Sequence, residues 1–513
     1  MENDFDVIVI GGGAGGGTVA TCCSASGKRV LLIERGGNPN TPDDDRPTSN
    51  AHDEQSTLID QVPYDDRCVE IGGQQVRLYM GGVLGGGTSV YGGALIRPDA
   101  ADFQPGRYYG TRISREIWDW PIEFRAFEPF LSAAEKLFRV EDTHRENATL
   151  TSAVLSGSGR STDSAETSPG LPLAKVNERL MSRAKGAGMH PYRLPLAIDA
   201  RTCLRCDQCA GYVCPTGARR SAAQLVQESI ARGEPLTLLL NCEVEGLERG
   251  AFGSLAGIRL RRRSDGTQLM VRAKRYVLAA GAIGSAAILL KSGFQHPLIG
   301  RHFMMHYSPI SIGLFAGDTG AGRTFIKQVG LSDFYFGTPT MPEKMGIVQS
   351  LPAPGPLMMA RYGLRYVPHR IRNVLRTRML PLVGIVEDLP DPCNRVTLSS
   401  SGQIRLDHSF SEYDRARGAA LAAEMKKLLK ATGALVCSSG STPSSAHVAH
   451  QCGTLRFGLS PEHAVADPEC RLFDQPDVFV VDGSFMPSSL GVGPSLTIIA
   501  NALRVAEIVA SEV

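Results

Sequence analysis

Four cysteines crowd into one short segment of the chain. Cys203, Cys206, Cys209 and Cys214 read C-x2-C-x2-C-x4-C, and a proline follows the last of them. Thiolates at this spacing can wrap one iron–sulfur cluster or one structural zinc ion, although the ferredoxin pattern is one residue shorter in its last gap. The residues alone leave three alternatives open: an iron–sulfur cluster, a zinc site, and plain thiols or a disulfide.

A second constellation, near the N-terminus, consists of glycines. Gly11, Gly13 and Gly16 form G-x-G-x-x-G directly after the apolar run FDVIVI at residues 5–10. In a dinucleotide site the first glycine permits a tight turn, the second lets backbone approach a pyrophosphate, and the third lets helix and strand pack closely. Glu34 ends a second apolar run, where an acid can hydrogen-bond a ribose 2′-hydroxyl. The pattern predicts a dinucleotide site without separating FAD from NAD.

These motifs need a parallel sheet to position them. A strand, a glycine turn, a helix and a second strand at Val30–Ile33 make a βαβ unit, which implies a parallel sheet with right-handed crossovers. Further strands are predicted at 236–240, 256–261, 275–280 and 478–481, helices at 115–140 and 494–511, and polar loops at 36–56, 151–169 and 437–445. Because sheet elements occur at both ends and in the middle of the chain, we expect interleaved domains.

Composition and charge narrow the class of protein. The chain has 513 residues, of which 42% are hydrophobic and 21% charged, and this excludes a disordered or collagen-like chain. The 54 basic and 52 acidic residues give a net charge of only +2, which argues against a nucleic-acid partner. The N-terminus lacks a basic signal-peptide region, and no apolar run approaches the ~18 residues of a membrane span. We therefore expect a cytoplasmic protein with no membrane span.

Six further segments resemble the glucose–methanol–choline (GMC) oxidoreductase family and occur in the order that this family has. They are GGVLGGGTSVYGGALIRP at 81–98, WDWP at 118–121, YVLAAGAIGSAAILLKSG at 276–293, the block at 300–306, HQCGTLRFG at 450–458 and the C-terminal stretch at 480–507. Together with the glycine fingerprint, these matches extend over most of the chain.

The resemblance implies a fold, a cofactor and a reaction. The expected fold class is α/β, with a Rossmann-type FAD-binding domain interleaved with an α+β substrate domain built on an antiparallel sheet. The FAD-binding domain would take residues 1–100, 200–300 and 450–513, and the substrate-binding domain residues 101–199 and 301–449. The reaction would oxidise the CH–OH group of a sugar, polyol or other small-molecule alcohol by hydride transfer to flavin N5, with O2 or another electron acceptor as partner.

The same resemblance assigns residues to the cofactor. Besides the fingerprint glycines and Glu34, those expected to contact FAD are Gly86, Thr88, Ser89, Tyr91, Gly92, Val244, Ala280, Asp482, Gly483, Pro494 and Ser495. Val90 stands where some members attach FAD covalently through a histidine, so this FAD is expected to be non-covalent. Pro494 suits the first position of a helix, whose positive end would face the flavin and stabilise its anionic reduced form.

His450 is the candidate catalytic base. It lies in H-x-x-G-T, where the resemblance places the histidine that accepts the hydroxyl proton, and an unperturbed histidine pKa of ~6.5 suits that task. A buried structural histidine is the alternative. His447, three residues earlier, is a second candidate for the site or a structural residue.

One position departs from the family pattern. Members usually carry Asn or His just before the proline of the last helix, and this chain has Gly493, which offers no side-chain hydrogen bond. Tyr91 likewise stands where many members have Asn. Either His447, Tyr91 or a residue of the substrate domain substitutes, or the reaction is not simple alcohol oxidation. The alternatives are lyase-like chemistry on the same scaffold and a dehydrogenase subunit that passes electrons through a cysteine-bound cluster.

Overall fold

A parallel sheet and an antiparallel sheet carry most of the strands in this computed structural model. It describes residues 4–39, 54–58, 61–140, 171–250, 254–440 and 448–513. The predicted loop at 151–169, most of the one at 36–56 and the candidate His447 lie outside these described residues.

The described strands, in chain order, are β1 (Phe5–Ile10), β2 (Val30–Ile33), β3 (Cys68–Ile71), β4 (Gln74–Arg77), β5 (Tyr192–Arg193), β6 (Leu236–Leu239), β7 (Cys242–Arg249), β8 (Leu255–Arg262), β9 (Gln268–Val271), β10 (Ala273–Leu278), β11 (Ile310–Leu314), β12 (Val329–Leu331), β13 (Val348–Ser350), β14 (Met379–Gly384), β15 (Arg395–Leu398), β16 (Ile404–Asp407), β17 (Val436–Gly440), β18 (Arg471–Leu472) and β19 (Gln475–Val480). The described helices are α1 (Ala14–Ala25), α2 (Glu54–Leu58), α3 (Gly106–Tyr109), α4 (Phe124–Leu137), α5 (Lys175–Gly186), α6 (Ala222–Ala231), α7 (Gly281–Lys291), α8 (Pro356–Met359), α9 (His369–Arg376), α10 (Glu412–Thr432) and α11 (Ser495–Ser511).

The first sheet has the strand order β18-β19-β10-β1-β2-β6. All of its pairs are parallel except β18 with β19, so it needs helical crossovers on its faces. The central strand β1 is buried over its last four residues, which explains its continuous apolar run. Helix α1 packs against both α6 and α11. The predicted α/β fold is confirmed.

The second sheet is antiparallel and has the order β17-β11-β14-β13-β12-β5. Helix α10 packs on it through buried Leu421, Met425 and Leu428. Two smaller sheets have the orders β15-β16-β3-β4 and β7-β8-β9.

Two sequence-based boundaries differ from the structure. The segment predicted as a loop from 437 forms edge strand β17 instead, because backbone pairing with β11 overrides the weak strand propensity of its serines. The helix predicted over 115–140 begins only at Phe124, since Pro121 disfavours helical backbone in the residue before it. Among the described helices, none is both long and apolar enough to cross a lipid bilayer.

A buried ion cluster formed by Asp102, Lys344 and Glu387 contacts the C-terminal segment of the chain. Lys344 Nζ lies 2.7 Å from Asp102 Oδ1 and also contacts Glu387, and all three side chains are fully buried. The backbone N–H of Leu490 donates to Glu387 (3.2 Å) and that of Gly491 donates to Asp102 (3.3 Å). The cluster therefore anchors residues 490–491, just before α11.

Replacing Lys344 with methionine should destabilise the protein strongly. The change leaves two buried carboxyl groups without their cation, which costs about 3–5 kcal/mol in comparable buried pairs. The measurement is the midpoint of thermal unfolding. The control is Lys427→Met, which removes the same charge from a 66%-exposed side chain paired with Glu424 and should shift the midpoint little. Equal midpoints for the two variants would contradict the assigned role of the cluster.

Candidate active site

A cavity of about 700 Å³ lies between the two main sheets. One wall comes from the carboxyl ends of the parallel strands, at Ile10 and Ala279. The facing wall comes from the antiparallel sheet, at Ile310, Gln349 and Val383. Ligands of open α/β sheets bind at the carboxyl ends of the strands, so this is where the fold predicts a cofactor.

The glycine fingerprint shapes one end of this cavity. Gly11 has a positive φ of 100°, and a Cβ there would lie 2.5 Å from the carbonyl oxygen of Ala279. Gly16 does not line the cavity, and a Cβ there would lie 1.9 Å from the carbonyl oxygen of Gly11, so only glycine lets α1 pack this close to the turn. Gly13 lines the cavity and directly precedes α1.

Glu34 lies in the cavity wall beside the glycine turn. It is buried and lines the cavity, and its two carboxylate oxygens accept hydrogen bonds from the backbone N–H groups of Gly12 and Gly36, each at 2.8 Å. Burial raises the pKa of this carboxyl group, against the two backbone hydrogen bonds that lower it. The side chain therefore braces the glycine turn as well as facing the cavity.

The cavity fits an extended dinucleotide. A Cβ at Gly13, Gly87 or Gly281 would meet no other protein atom within 4 Å, although all three residues line the cavity, so each glycine leaves room for a ligand. The N-termini of α1, α7 and α11 also open on it, and unpaired N–H groups of a helix N-terminus attract anionic groups such as phosphate. These residues match what FAD needs.

Most residues assigned to FAD from the sequence line this cavity. They are Gly11, Gly13, Glu34, Gly86, Thr88, Tyr91, Gly92, Val244, Ala280, Asp482, Gly483, Pro494 and Ser495. Ser89 does not, because its hydroxyl donates to the carbonyl oxygen of Leu84 at 2.7 Å. Helix α11 begins at Ser495, so Pro494 precedes the first helical position rather than occupying it.

His450 lies in the cavity wall next to a second histidine, His306. A two-way backbone bridge between Met304 and Cys452, with both N···O distances 3.0 Å, brings the two segments together. The histidine rings are nearly perpendicular, at 85°, and the two Nδ1 atoms are 3.0 Å apart. His450 has a φ of 64°, which is uncommon for a non-glycine residue and occurs often at functional sites.

The hydrogen bonds decide which ring nitrogen carries each proton. His306 Nε2 lies 2.8 Å from the carbonyl oxygen of Leu490, which can only accept, so His306 is protonated at Nε2. In a neutral His306, Nδ1 must then accept, and the donor is Nδ1–H of His450. A neutral His450 therefore keeps a free lone pair on Nε2, which is the form that a general base requires.

Both histidines are neutral at physiological pH. Burial lowers the pKa of His306 to about 4. Burial also lowers the pKa of His450 well below its usual value, and the nearby His306 and Lys327 lower it further. Since a lowered histidine pKa means that the proton is lost already in mild acid, the base form of His450 persists throughout the neutral range.

Of the three sources proposed from the sequence for a group that replaces a side chain at Gly493, one is engaged elsewhere and one lies outside the described residues, which leaves a residue of the proposed substrate domain. The hydroxyl of Tyr91 donates to the carbonyl oxygen of Arg220 at 2.7 Å, and His447 lies outside the described residues. A Cβ at position 493 would lie 3.4 Å from His450 Nε2, so the missing side chain would have stood beside the base. Lys327, which sequence reasoning missed, lines the same cavity.

The four cysteines at 203–214 are not arranged as the ligands of one metal ion in this structure. Across the described residues, which include all 12 cysteines, no group of three or more His, Cys, Asp or Glu side chains is placed to hold a metal ion, and every cysteine is a free thiol. The segment instead surrounds the guanidinium of Arg219, which donates to the carbonyl oxygens of Ser89, Tyr91, Cys209 and Tyr212. A buried cation thus organises this loop. Of the three alternatives that the sequence left open, the described residues support plain thiols and give no support to a cluster or a zinc site.

Family models of the GMC oxidoreductases match this chain twice. The N-terminal model matches residues 5–308 and the C-terminal model residues 390–502, which together exceed half of the chain. The chain belongs to the GMC oxidoreductase family. FAD is the cofactor of this family, and the glycine-lined cavity described above suits it.

Curated relatives of this GMC oxidoreductase cover most of its length. It is 29% identical to 6'''-hydroxyparomomycin C oxidase of Streptomyces lividus over 468 residues, which cover 83% of this chain and 78% of the relative. It is 28% identical to paromamine 6'-oxidase of Streptomyces fradiae over 464 residues, which cover 84% and 78%. Among solved structures, pyridoxine 4-oxidase from Mesorbium loti matches with a TM-score of 0.68 at 19% identity, over 98% of this chain and 99% of that one. At that identity the match supports the fold alone.

Replacing Gly13 with valine should abolish FAD binding by this GMC oxidoreductase without unfolding it. The new Cβ would meet no protein atom within 4 Å, and Gly13 lines the cavity, so the added methyl groups would take up space that the ligand needs. The measurements are the flavin absorbance per protein and the melting temperature of the apoprotein. Gly186→Val, at the exposed end of α5 and equally free of neighbours, is the control and should keep its flavin. Normal flavin content in Gly13→Val would contradict this placement of the cofactor.

His306→Leu should allow His450 to adopt either neutral tautomer. Leucine offers no acceptor to Nδ1–H, so the proton would distribute between Nδ1 and Nε2, and the rate of flavin reduction should fall at least ~10-fold. His306→Asn, whose amide oxygen can accept, should retain more of the rate. The measurement is the 15N NMR spectrum of histidine-labelled holoenzyme, which distinguishes the two tautomers. An unchanged His450 signal in His306→Leu would refute the assigned hydrogen bond.

Proposed function

We propose that this protein is an FAD-dependent alcohol oxidoreductase that oxidises a CH–OH group, with His450 as the base. The observation that carries the proposal is the hydrogen-bond chain from Leu490 through His306 to His450, which leaves Nε2 of His450 unprotonated in the cavity wall. Family membership supports the class of reaction, and two curated relatives are named as oxidases of the 6'-position of paromamine and of 6'''-hydroxyparomomycin C.

The residues of the chain would divide the work as follows. Bound FAD supplies the acceptor for the hydride that leaves the alcohol carbon. His450 Nε2 accepts the proton of the hydroxyl group, and His306 keeps His450 in the tautomer that can do so. His306 is buried and His450 is half-buried in the cavity wall, so the protein shields both rings from most of the solvent. The N-terminal end of α11, at Ser495, would favour negative charge on the flavin ring.

The substrate we propose is a small-molecule alcohol of the sugar or polyol class, and electrons would pass onward to O2 or another acceptor. The lyase alternative rested on Gly493, and the dehydrogenase alternative on a cysteine-bound cluster, for which the described residues provide no ligand set. We also propose that FAD is held non-covalently, since Val90 lines the cavity and has no nucleophilic atom. The division into a FAD-binding and a substrate-binding domain, with the boundaries given above, belongs to the same proposal.

The test of this function is His450→Asn. Asparagine tolerates the left-handed backbone at this position, so the variant should fold and keep FAD. Without a base, the rate at which alcohols bleach the flavin under anaerobic conditions should fall at least ~10²-fold. The measurement is a stopped-flow screen over sugars, polyols and amino sugars with wild type and variant side by side. Equal rates of flavin reduction in the two proteins would show that His450 is not the base and would contradict the proposal.

A further inference from the structure

Lys327 is a buried cation without an anionic partner among the described residues. It lies two residues before β12, its exposed fraction is 7%, and it lines the same cavity as His450. No described side chain or carbonyl group forms a hydrogen bond or an ion pair with its Nζ. Lys344 shows the contrast, because that equally buried lysine contacts two carboxylates.

An unpaired ammonium group in a protein interior is costly, so its presence calls for a ligand. Burial lowers the pKa of Lys327 to about 8, which still leaves the side chain mostly protonated at neutral pH. The charged or titratable groups that influence it are Cys209, Arg219 and His450. Arg219 donates to the backbone carbonyl groups of Tyr91 and Tyr212. Both His450 and Cys209 are neutral at this pH, because burial lowers the pKa of the histidine and raises that of the thiol.

The position of Lys327 matches a gap in the cavity wall. A Cβ built on Gly92 would lie 2.5 Å from Lys327 Nζ, so the ammonium group takes the room that a side chain at position 92 would need. Gly493, beside His450 Nε2, leaves a second gap in the same wall. The cavity wall therefore lacks a side chain at position 493, beside the base, and the same wall contains a cation at Lys327.

We propose that the ammonium group of Lys327 binds the oxygen atom of the alcohol that is oxidised. This inference rests on the proposed function. As the O–H bond breaks, the proton passes to His450 Nε2 and the electron pair stays on the oxygen atom, where the ammonium group stabilises it. Lys327 thereby supplies the polar partner that Gly493 lacks, and the same group binds small oxyanions such as carboxylates when no alcohol is present.

The experiment titrates the oxidised holoenzyme with acetate and with acetamide, its uncharged analogue, and follows the flavin absorption spectrum. Wild type should bind acetate at least ~10-fold more tightly than acetamide at pH 7. Lys327→Met, which keeps the unbranched side chain up to the ε position and removes the charged terminal group, should weaken acetate binding at least ~10-fold and leave acetamide binding unchanged. The control Lys427→Met, on the exposed face of α10, should behave as wild type.

Arg376 provides a second comparison, because it is another cation in the cavity wall. If Arg376→Met rather than Lys327→Met weakens acetate binding, the anion site lies elsewhere and the proposal is wrong. Equal binding of acetate and acetamide by wild type would also overturn it, and this comparison needs no variant to fold.

The outcome separates this inference from the proposed function. Loss of acetate selectivity in Lys327→Met, together with a fall of about 10²-fold or more in the rate of flavin reduction by alcohol, supports both. If no alcohol reduces the wild-type flavin but acetate selectivity still depends on Lys327, the oxyanion site stands and the proposed function fails. If alcohol reduces the flavin of Lys327→Met at the wild-type rate, Lys327 does not bind the reacting oxygen atom.

Discussion

The hydrogen bond between the Nδ1 atoms of His306 and His450 is the interaction on which the proposed chemistry depends. Taken alone, either histidine could carry its proton on either ring nitrogen. The carbonyl oxygen of Leu490 can only accept a hydrogen bond, so it fixes the proton of His306 on Nε2. Nδ1 of His306 must then accept from Nδ1–H of His450, which leaves Nε2 of His450 without a proton. A third residue with no side-chain chemistry of its own thus decides where the base has its lone pair.

Much of the buried polar structure serves to hold that carbonyl group in place. Leu490 has a φ of 67°, an uncommon backbone conformation that needs support from its surroundings. The support comes from the cluster of Lys344, Asp102 and Glu387, which accepts hydrogen bonds from the N–H groups at 490 and 491. Asp102 also accepts from the hydroxyl of Tyr335 at 2.5 Å. A buried ion pair contributes little net stability but can favour one geometry over others, and here the cluster favours the observed backbone conformation at Leu490.

Three buried cations differ in whether the protein supplies partners for their charge. Lys344 is neutralised by carboxylates and is structural, while the two Nη atoms of Arg219 donate to backbone carbonyl groups and organise the cysteine segment. Lys327 has no such partners among the described residues, and it faces the cavity. The cysteine spacing left open whether a metal ion, a disulfide or neither organises this loop. The loop folds instead around the guanidinium group of Arg219. This residue follows Cys214 closely in sequence, so its side chain can reach back to carbonyl groups of the loop such as that of Tyr212.

The sequence by itself determined the α/β fold, the family and the region of the cofactor cavity. These follow from local patterns: the apolar strand before Gly11, the glycines that only close backbone approach requires, and segments with a recognisable order. Tertiary structure decided the rest. His306 and His450 are 144 residues apart, and Lys327 contacts the space at Gly92 from a distant part of the chain, so the spacing of residues along the chain predicts neither contact. Protonation and charge depend on burial and on neighbours in space, and only the folded chain brings those together.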